Sequence, residues 1–287
     1  MASSTATIVL LCVALALVLV IVICSAVYLA NMNAQAKLVR CVREQGPLRP
    51  LGADSIAGTQ DPPFANPTSV AYERVPFQSL PGTVTRTIVH ERDPSLDLLQ
   101  GFLSPEECKH LIALAEGRFR RSSVVDAKTG KDVEDKDRTS RSVYLESGED
   151  DVVRRVEQRA AMATGVPLQN FERLQVVKYE PGQFYKAHFD YLDDSVPDVQ
   201  TKGQRVVTIF AYLNDLAEDE PGGGTKFHAI NKTVKPKLGT AALWYNMTKD
   251  PTTTSPKVNP ATLHSGEPVT KSVKYGLNVW GRTKPQT

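Results

Sequence analysis

The chain has 287 residues, enough for one sizeable domain with additional segments. Its composition, with 41% hydrophobic and 23% charged residues, is that of a globular protein. A formal net charge of +2 argues against a nucleic-acid-binding protein, since such proteins usually present a strongly basic face.

An uncharged apolar run extends from Ile8 to Ala30. As a helix rising about 1.5 Å per residue it would span roughly 34 Å, enough to cross a bilayer core of about 30 Å. A cleaved signal peptide is the alternative, but its apolar core would be shorter, about 7–15 residues, and would follow a basic segment. Residues 1–7 contain no Lys or Arg. The sequence therefore predicts a short tail over 1–7 and a transmembrane helix over 8–30 that acts as a signal anchor.

The signals for membrane orientation disagree with one another. Lys37, Arg40 and Arg43 follow the apolar run, and the positive-inside rule would keep them and the following domain in the cytosol. Glycosylation sequons begin at Asn231 and Asn246 and would suit a lumenal domain, although such short motifs also arise by chance. These signals alone leave both orientations open.

Residues 31–83 are predicted to form a stalk between the membrane and a folded domain over 84–287. This region shows neither helical nor strand periodicity, and the absence of both is typical of an extended linker. Seven prolines lie within residues 44–82, namely Pro47, Pro50, Pro62, Pro63, Pro67, Pro76 and Pro81. The folded domain is predicted to begin with a strand over 84–89.

Two amphipathic helices are predicted next. Ser104 caps the first, Pro105 fits its first turn, Glu107 completes a capping box and Gly117 ends the helix. The second helix is predicted over about 149–164. The segment 120–137 between them is polar and predicted to be mobile.

From residue 174 onward the pattern predicts β-strands separated by Pro- and Gly-containing turns. The strands are predicted over 174–179, 205–213, 239–245 and 271–280. Helices followed by many short strands indicate a mainly β domain with flanking helices, arranged as a β-sandwich or jelly roll.

His188 and Asp190 are the first candidates for a metal site. In a strand, residues i and i+2 face the same way, so both side chains would point into one cavity while Phe189 faces the other side. Two histidines and one carboxylate on one face of a metal leave three positions open, which suits non-haem Fe(II). The chain has five histidines, and His264 is the preferred third ligand because of Lys274, ten residues later.

Lys274 lies on the polar side of the predicted last strand, together with Gly276, Asn278 and Trp280. A side chain as large as Trp280 is rarely exposed to water, so this side of the strand is predicted to line a cavity. A buried cation needs a partner, and the distal carboxylate of a 2-oxoacid would provide one. A His-x-Asp pair alone is most often a surface coincidence, so the prediction depends on His264 and Lys274 as well.

Two segments carry a resemblance to a known family, LQVVKYEPGQFYKAHFDY at 174–191 and GQRVVTIFAYLND at 203–215. The Gly-rich segment 222–227 and the segment 264–280 follow in the same order. Together they resemble the prolyl 4-hydroxylases, which are Fe(II)- and 2-oxoglutarate-dependent dioxygenases. The likeness covers roughly 85–282 and is closest to the plant, algal and viral single-domain enzymes.

The resemblance implies a double-stranded β-helix (jelly roll) behind the N-terminal transmembrane helix. It implies hydroxylation of C4 of proline in proline-rich peptides, a procollagen-proline 4-dioxygenase-like reaction that consumes O2 and 2-oxoglutarate and releases succinate and CO2. Fe(II) would be the metal and ascorbate the reductant. The implied iron ligands are His188, Asp190 and His264.

The resemblance also assigns the other residues of the site. Lys274 would bind the C5 carboxylate of 2-oxoglutarate, with Tyr179 and Thr225 as helpers. The residues that would face the peptide substrate are Tyr185, Arg205 and Trp280. The tripeptide 138–140, Arg-Thr-Ser, resembles a motif that closes a flexible substrate loop.

Some features depart from the family, and these bear on substrate preference. Gly224 stands where a Glu usually precedes the Thr, and Tyr275 stands where Trp often follows the lysine. Family members of this build are type II membrane proteins that face the lumen of the endoplasmic reticulum or Golgi, which is opposite to the orientation that the flanking charges indicate.

Two other functions stay open. The chain could be another oxygenase of the superfamily, acting on lysyl residues, a free amino acid or a lipid. It could also be a non-enzymatic, membrane-tethered binding module, although such a module would have no need for the full His188, Asp190, His264 and Lys274 set. The natural substrate and the oligomeric state are not determined by the sequence.

Overall fold

The computed structural model describes residue 74 and residues 84–125, 131–248 and 257–286. These residues belong to a compact unit over Asp61–Thr287. The predicted tail, the predicted transmembrane helix and all of the predicted stalk except Arg74 lie outside the described residues. Within the described ranges, no helix is long and apolar enough to cross a bilayer.

An eight-stranded antiparallel sheet forms the larger layer of the domain. Strands predicted at 174–179, 205–213, 239–245 and 271–280 all belong to this sheet, so those four predictions are confirmed. In spatial order the strands are β1 (Thr85–His90), β2 (Leu96–Gln100), β12 (Ala241–Tyr245), β9 (Arg205–Tyr212), β16 (Lys274–Arg282), β7 (Gln175–Tyr179), β6 (Arg141–Tyr144) and β3 (Arg120–Arg121).

A four-stranded antiparallel sheet forms the second layer. Its strands in spatial order are β11 (Lys232–Val234), β10 (Thr225–Phe227), β15 (His264–Gly266) and β8 (Tyr185–His188). The remaining strands in the described part of the chain form two short pairs, β4 (Ser123–Val125) with β5 (Asp132–Glu134) and β13 (Met247–Thr248) with β14 (Lys257–Val258).

The helices are α1 (Pro105–Ala115), α2 (Asp151–Thr164) and α3 (Pro197–Lys202), with 3-10 turns at Leu168–Asn170 and Pro260–Thr262. The predicted capping box of α1 is confirmed, because the Ser104 side chain accepts from the Glu107 amide and the Glu107 carboxylate accepts from the Ser104 amide. Helix α2 ends at Gly165, whose φ of 73° is the left-handed conformation that favours glycine.

Alternation along the strands of the large sheet creates two separate apolar clusters. On β7, Val176 packs in a cluster shared with α1 and α2, whereas its neighbour Val177 packs in a cluster between the two sheets. Phe227 of the small sheet lies in that second cluster with Trp244 of the large one. Two facing antiparallel sheets with helices on the outer face of one are consistent with the predicted jelly roll.

One local expectation differs from the structure. Residues 120–137 were expected to be polar and mobile, yet their described part contains β3, β4 and β5. These strands are paired through backbone hydrogen bonds, which polar side chains permit. The strands that carry His264 and Lys274 lie in different sheets, since β15 belongs to the small sheet and β16 to the large one.

Arg74, within the predicted stalk, contacts the folded domain. Its guanidinium donates to the carboxylate of Asp97 at 2.6–3.1 Å and to the carbonyl oxygens of His90 and Glu91. Asp97 is fully buried, and Arg86 is its other cationic partner. Arg74 therefore helps to neutralise the buried carboxylate of Asp97, because a buried charge without a partner is strongly unfavourable.

Arg74→Ala is expected to lower the free energy of unfolding by about 2 kcal/mol, because it removes charged hydrogen bonds from a buried carboxylate that Arg86 still pairs. Urea unfolding of the domain measures this change. Arg92→Ala is the control, since Arg92 is exposed in the loop that follows β1. Equal stability of the two variants would contradict a structural role for Arg74.

Candidate active site

A cavity between the two sheets contains all nine residues that the sequence predicted for the site. The lining residues include His188, Asp190, His264, Lys274, Tyr179, Thr225, Tyr185, Arg205 and Trp280. Eight of the nine lie on strands of the two sheets, and Asp190 lies two residues beyond the end of β8. The small sheet supplies the histidines, and the large sheet supplies the lysine and the tryptophan.

His188, Asp190 and His264 form one compact cluster. Their potential ligand atoms all lie within 4.8 Å of one another. The Nε2 atom of His188 is 3.9 Å from Asp190 Oδ1, and that of His264 is 3.7 Å from Asp190 Oδ2. His188 and His264 are direct cross-strand partners in the pairing of β8 with β15, which brings residues far apart in sequence together.

Both imidazoles are oriented for coordination through Nε2. The Nδ1 atom of His188 lies 2.7 Å from the Lys186 carbonyl oxygen, and that of His264 lies 2.9 Å from the Thr262 carbonyl oxygen. A carbonyl can only accept, so Nδ1 carries the proton and Nε2 keeps its lone pair. Burial lowers the pKa of His188 to about 3, and the neighbouring His264 adds to this shift. The neutral form is the one that binds a metal.

Asp190 takes its orientation from residues outside the predicted set. Its Oδ2 accepts a 2.7 Å hydrogen bond from the Thr208 hydroxyl, and Thr208 Oγ1 accepts a 2.9 Å bond from the Asn246 amide. Burial by itself would raise the pKa of Asp190, but the adjacent imidazoles and the Thr208 hydroxyl produce a net decrease. Because β8 ends at His188, strand alternation does not align Asp190 as the sequence analysis assumed; Thr208 does.

Thr208→Val should weaken Fe(II) binding by about 10- to 100-fold, the range for losing a partner of a metal-binding carboxylate. The substitution keeps the shape of the side chain and removes the hydroxyl that orients Asp190. Equilibrium dialysis with Fe(II) under anaerobic conditions measures the affinity. Thr233→Val, at an exposed position on β11, is the matched control, and equal affinities in the two variants would show that Thr208 does not position Asp190.

Lys274 lies at another part of the cavity wall and is only 2% exposed. Its ammonium nitrogen is 5.2–5.6 Å from the ring centroids of Tyr179, Phe210 and Tyr212. Within the described residues, no carboxylate forms an ion pair with it. Burial accordingly lowers the pKa of Lys274 to about 7, and Glu267 only partly opposes this shift. A ligand carboxylate would supply the missing partner.

Thr225 is buried on β10 of the small sheet and also lines the cavity, and its Oγ1 accepts a 2.9 Å hydrogen bond from the Tyr212 hydroxyl. Because that bond occupies a lone pair of Thr225, its own hydroxyl proton is available to a ligand. Tyr179 is the register partner of Lys274 across β7 and β16. The helper residues expected from the resemblance therefore flank the lysine.

Arg205 and Trp280 are joined into one wall of the cavity. The Arg205 guanidinium stacks 3.8 Å from the centroid of the Trp280 ring and forms a two-pronged ion pair with Glu172 at 2.6 and 2.7 Å. Tyr185 stacks on His188 with ring centroids 3.5 Å apart, and Arg138 lies 4.9 Å from the Tyr185 ring centroid. All four of these aromatic and cationic side chains line the cavity that holds the metal cluster.

Several cavity residues were missed by the sequence analysis. The Trp244 ring is 4.8 Å from that of His264, and Arg138 is 94% buried and donates to Gln175 and to the Ser123 carbonyl oxygen. Within the described residues, the side-chain nitrogens Trp244 Nε1, Trp280 Nε1 and Arg138 Nε are buried without an acceptor. Alternation on a buried strand could have pointed to Trp244, but nothing local marks Thr208 or Asn246.

Comparison with known proteins agrees with this geometry. Residues 174–282 match the 2OG-Fe(II) oxygenase superfamily. Prolyl 4-hydroxylase 1 of Arabidopsis thaliana is 37% identical over 206 residues, which cover 67% of this chain and 70% of that protein. Probable prolyl 4-hydroxylase 10 of the same plant is 36% identical over 209 residues, covering 66% and 69%.

This chain belongs to the prolyl 4-hydroxylase family. The enzyme is therefore an Fe(II)- and 2-oxoglutarate-dependent dioxygenase, and the predicted family and cofactors are confirmed. Among solved structures, the collagen prolyl hydroxylase of Paramecium bursaria Chlorella virus-1 in complex with 2-oxoglutarate has a TM-score of 0.49 and 30% identity, covering 64% of this chain and 94% of that chain.

Proposed function

We propose that this enzyme hydroxylates C4 of proline residues in proline-rich peptides, consuming O2 and 2-oxoglutarate and producing succinate and CO2. Family membership supports the reaction class. The structural observation that carries the proposal is the presence, in one cavity, of a metal-binding cluster and a buried lysine without an anionic partner. Ascorbate would serve as the reductant, as it does in prolyl hydroxylases.

The donors around the cavity fit a metal and an anionic co-substrate. His188, Asp190 and His264 would hold the iron through two neutral imidazoles and one carboxylate, the ligand set that suits Fe(II). When bound, the iron supplies the oxygen activation that protein side chains cannot perform. The Lys274 ammonium, which contacts aromatic rings, and the buried nitrogens of Trp244 and Arg138 without acceptors favour a ligand rich in carboxylate oxygens.

Lys274 would bind the C5 carboxylate of 2-oxoglutarate as an ammonium, and the hydroxyl of Thr225 would donate to the same group. The rings of Tyr179, Phe210 and Tyr212 surround the ammonium and exclude water from this interaction. Exclusion of water strengthens a charge-charge contact, because the local dielectric constant falls. The far end of the co-substrate would thereby be fixed relative to the metal cluster.

The wall formed by Tyr185, Arg205 and Trp280 would bind the peptide. Since Arg205 is paired with Glu172, it does not offer a free cation, and its stacking instead holds Trp280 in place. Aromatic walls are the usual surface for proline-rich segments, whose polyproline II form is already extended before binding. This chemistry favours a peptide over a free amino acid or a lipid.

The decisive experiment supplies the purified domain with Fe(II), 2-oxoglutarate and ascorbate and compares a proline-rich peptide with the same peptide in which alanine replaces proline. We expect succinate to form in step with a 16 Da mass increase on proline, and only when Fe(II) is present. Turnover with a lysine-rich peptide alone would assign the enzyme to another oxygenase class. Absence of 2-oxoglutarate turnover with any peptide would favour a binding module.

We further propose that the chain is a type II membrane protein with its catalytic domain in the lumen of the endoplasmic reticulum or Golgi. The apolar run 8–30 and the domain organisation of the family support this orientation, while the flanking charges oppose it.

The two sequons differ in accessibility. Asn246 is fully buried and bonded to Thr208, so it is unsuited to carry a glycan, whereas Asn231 is exposed. Protease protection in microsomes tests the orientation, and loss of a glycan in Asn231→Gln tests modification. A domain digested in intact microsomes would contradict the proposal.

A further inference from the structure

The loop that follows β9 holds the backbone around Lys274. Strand β9 ends at Tyr212, and the chain then runs through residues 213–224 to β10. Two polar side chains of this loop, Asn214 and Glu220, bond to main-chain groups on the segment 270–275. The catalytic chemistry described above uses neither residue.

Asn214 binds the backbone on both sides of Lys274. Its Nδ2 donates to the Val273 carbonyl oxygen at 2.8 Å, and its Oδ1 accepts from the Tyr275 amide at 2.7 Å. The backbone amide of Leu213 also donates to the Tyr275 carbonyl oxygen at 3.0 Å. The Asn214 side chain therefore continues the β9 hydrogen-bond ladder beyond the end of the strand, at the position of Lys274.

Glu220 holds the segment that leads into Lys274. Its carboxylate accepts from the Thr270 amide at 2.9 Å and the Thr270 hydroxyl at 2.6 Å, and also from the amides of Lys271 at 2.8 Å and Ser272 at 2.9 Å. Burial alone would raise the pKa of Glu220, but these donors produce a large net decrease. Glu220 is therefore a permanent anion that orders three consecutive residues.

The Lys274 ammonium has no comparable anchor of its own. Within the described ranges it forms no hydrogen bond or ion pair, and its contacts are with three aromatic rings. Ring faces attract a cation but do not fix its position within a few tenths of an ångström. Its location must then follow from the backbone, which Asn214 and Glu220 hold.

We propose that Asn214 and Glu220 are positioning residues that place the Lys274 ammonium for the distal carboxylate of 2-oxoglutarate and so set the affinity for this co-substrate. This inference rests on the proposed role of Lys274. It predicts that loss of either side chain affects co-substrate binding and leaves metal binding, peptide binding and turnover at saturating 2-oxoglutarate unchanged, because neither residue lines the cavity.

The test measures binding by calorimetry, with Mn(II) in place of iron so that no turnover occurs. Asn214→Ala and Glu220→Gln are each expected to raise the Kd of 2-oxoglutarate about ten-fold, which corresponds to about 1.4 kcal/mol. Glu218→Gln, at an exposed position in the same loop, is the matched control and should bind 2-oxoglutarate as the parent does. Steady-state assays should show a higher KM for 2-oxoglutarate with kcat and the peptide KM within two-fold of the parent.

Oxalate binding distinguishes a displaced Lys274 ammonium from a general loss of structure. It can bind the metal but lacks the distal carboxylate, so its Kd should be the same in all variants. In a Lys274→Ala background, Asn214→Ala should have no further effect on the Kd of 2-oxoglutarate, since the two residues act through one contact. If Asn214→Ala does not fold, Asn214→Asp retains the acceptor for the Tyr275 amide, loses the donor to Val273, and supports the same comparison.

Two results would overturn the inference. One is an unchanged Kd for 2-oxoglutarate in both variants, and the other is an equal loss of oxalate and 2-oxoglutarate binding. Failure of the proposed function would look different, because it would leave the binding differences intact while no proline-rich peptide was hydroxylated.

Discussion

His264→Ala is expected to reduce 2-oxoglutarate and peptide turnover to the background of the metal-free protein. The substitution removes one of three metal ligands from a buried site, and the remaining pair, His188 and Asp190, lacks the third donor that faces them across the β8–β15 register. Among the described residues, no other potential metal ligand belongs to this cluster, so no side chain replaces His264. Loss of the metal removes the oxygen chemistry entirely, so we expect loss of kcat with no compensation at high co-substrate.

Turnover and Fe(II) binding should be measured together, by succinate formation and by anaerobic equilibrium dialysis. His228→Ala provides the matched control, because His228 is exposed in the turn after β10 and its ring contacts the Ser265 hydroxyl, away from the metal cluster. It should retain both activities. Fe(II) affinity and turnover that survive in His264→Ala would show that the cluster is not the metal site.

Lys274→Ala is expected to raise the KM for 2-oxoglutarate by about 100-fold, equivalent to about 2.8 kcal/mol, the size of a charged hydrogen bond lost from a buried site. The removed ammonium lies among three aromatic rings and has no substitute in the described part of the cavity wall. Fe(II) affinity should not change, since His188, Asp190 and His264 are intact. Lys232→Ala, on exposed β11, is the control. A normal KM in Lys274→Ala would disprove the co-substrate assignment.

The pKa of Lys274 adds a pH dependence to this prediction. Burial lowers that pKa to about 7, so the free enzyme carries the ammonium below this pH and the neutral amine above it. Only the ammonium pairs with a carboxylate. The Kd of 2-oxoglutarate in the parent should therefore rise with pH above about 7, approaching ten-fold per pH unit as one proton must be taken up on binding. Calorimetry across this range should give a flat profile for Lys274→Ala, and a flat profile for the parent would contradict the assignment.

Local patterns in the sequence predicted helices α1 and α2 and five of the eight strands of the large sheet, but not β2, β3 or β6. The capping box at Ser104 and the boundaries of β7 and β9 depend on neighbours within a few residues, so composition and spacing suffice. The two-residue alternation on β16 also placed Lys274, Asn278 and Trp280 on the cavity side. Strand geometry dictates that alternation regardless of the rest of the fold.

Short-range patterns in the sequence could not predict which strands pair with one another in the two sheets. β15 and β16 follow one another in the chain but lie in different sheets, so His264 and Lys274 face one cavity from opposite layers. Asp190 lies past the end of β8 and is aligned by Thr208, and Asn246, noted in the sequence only as part of a sequon, supports Thr208 from a buried position. Each of these contacts joins residues on separate elements.

The amino-acid sequence alone indicates the chemistry of the site: which residues can bind a metal, which lysine can bind a carboxylate, and which family the chain resembles. It also indicates helices α1 and α2 and five strands of the large sheet, because hydrogen bonding and side-chain alternation act over a few residues. How these groups are held became evident from the folded domain, where Thr208 bonds to Asp190, Glu172 pairs with Arg205, and Asn214 and Glu220 bond to the backbone around Lys274. The physical reason is that such hydrogen bonds depend on which strands become neighbours, and that outcome is set by packing over the whole domain.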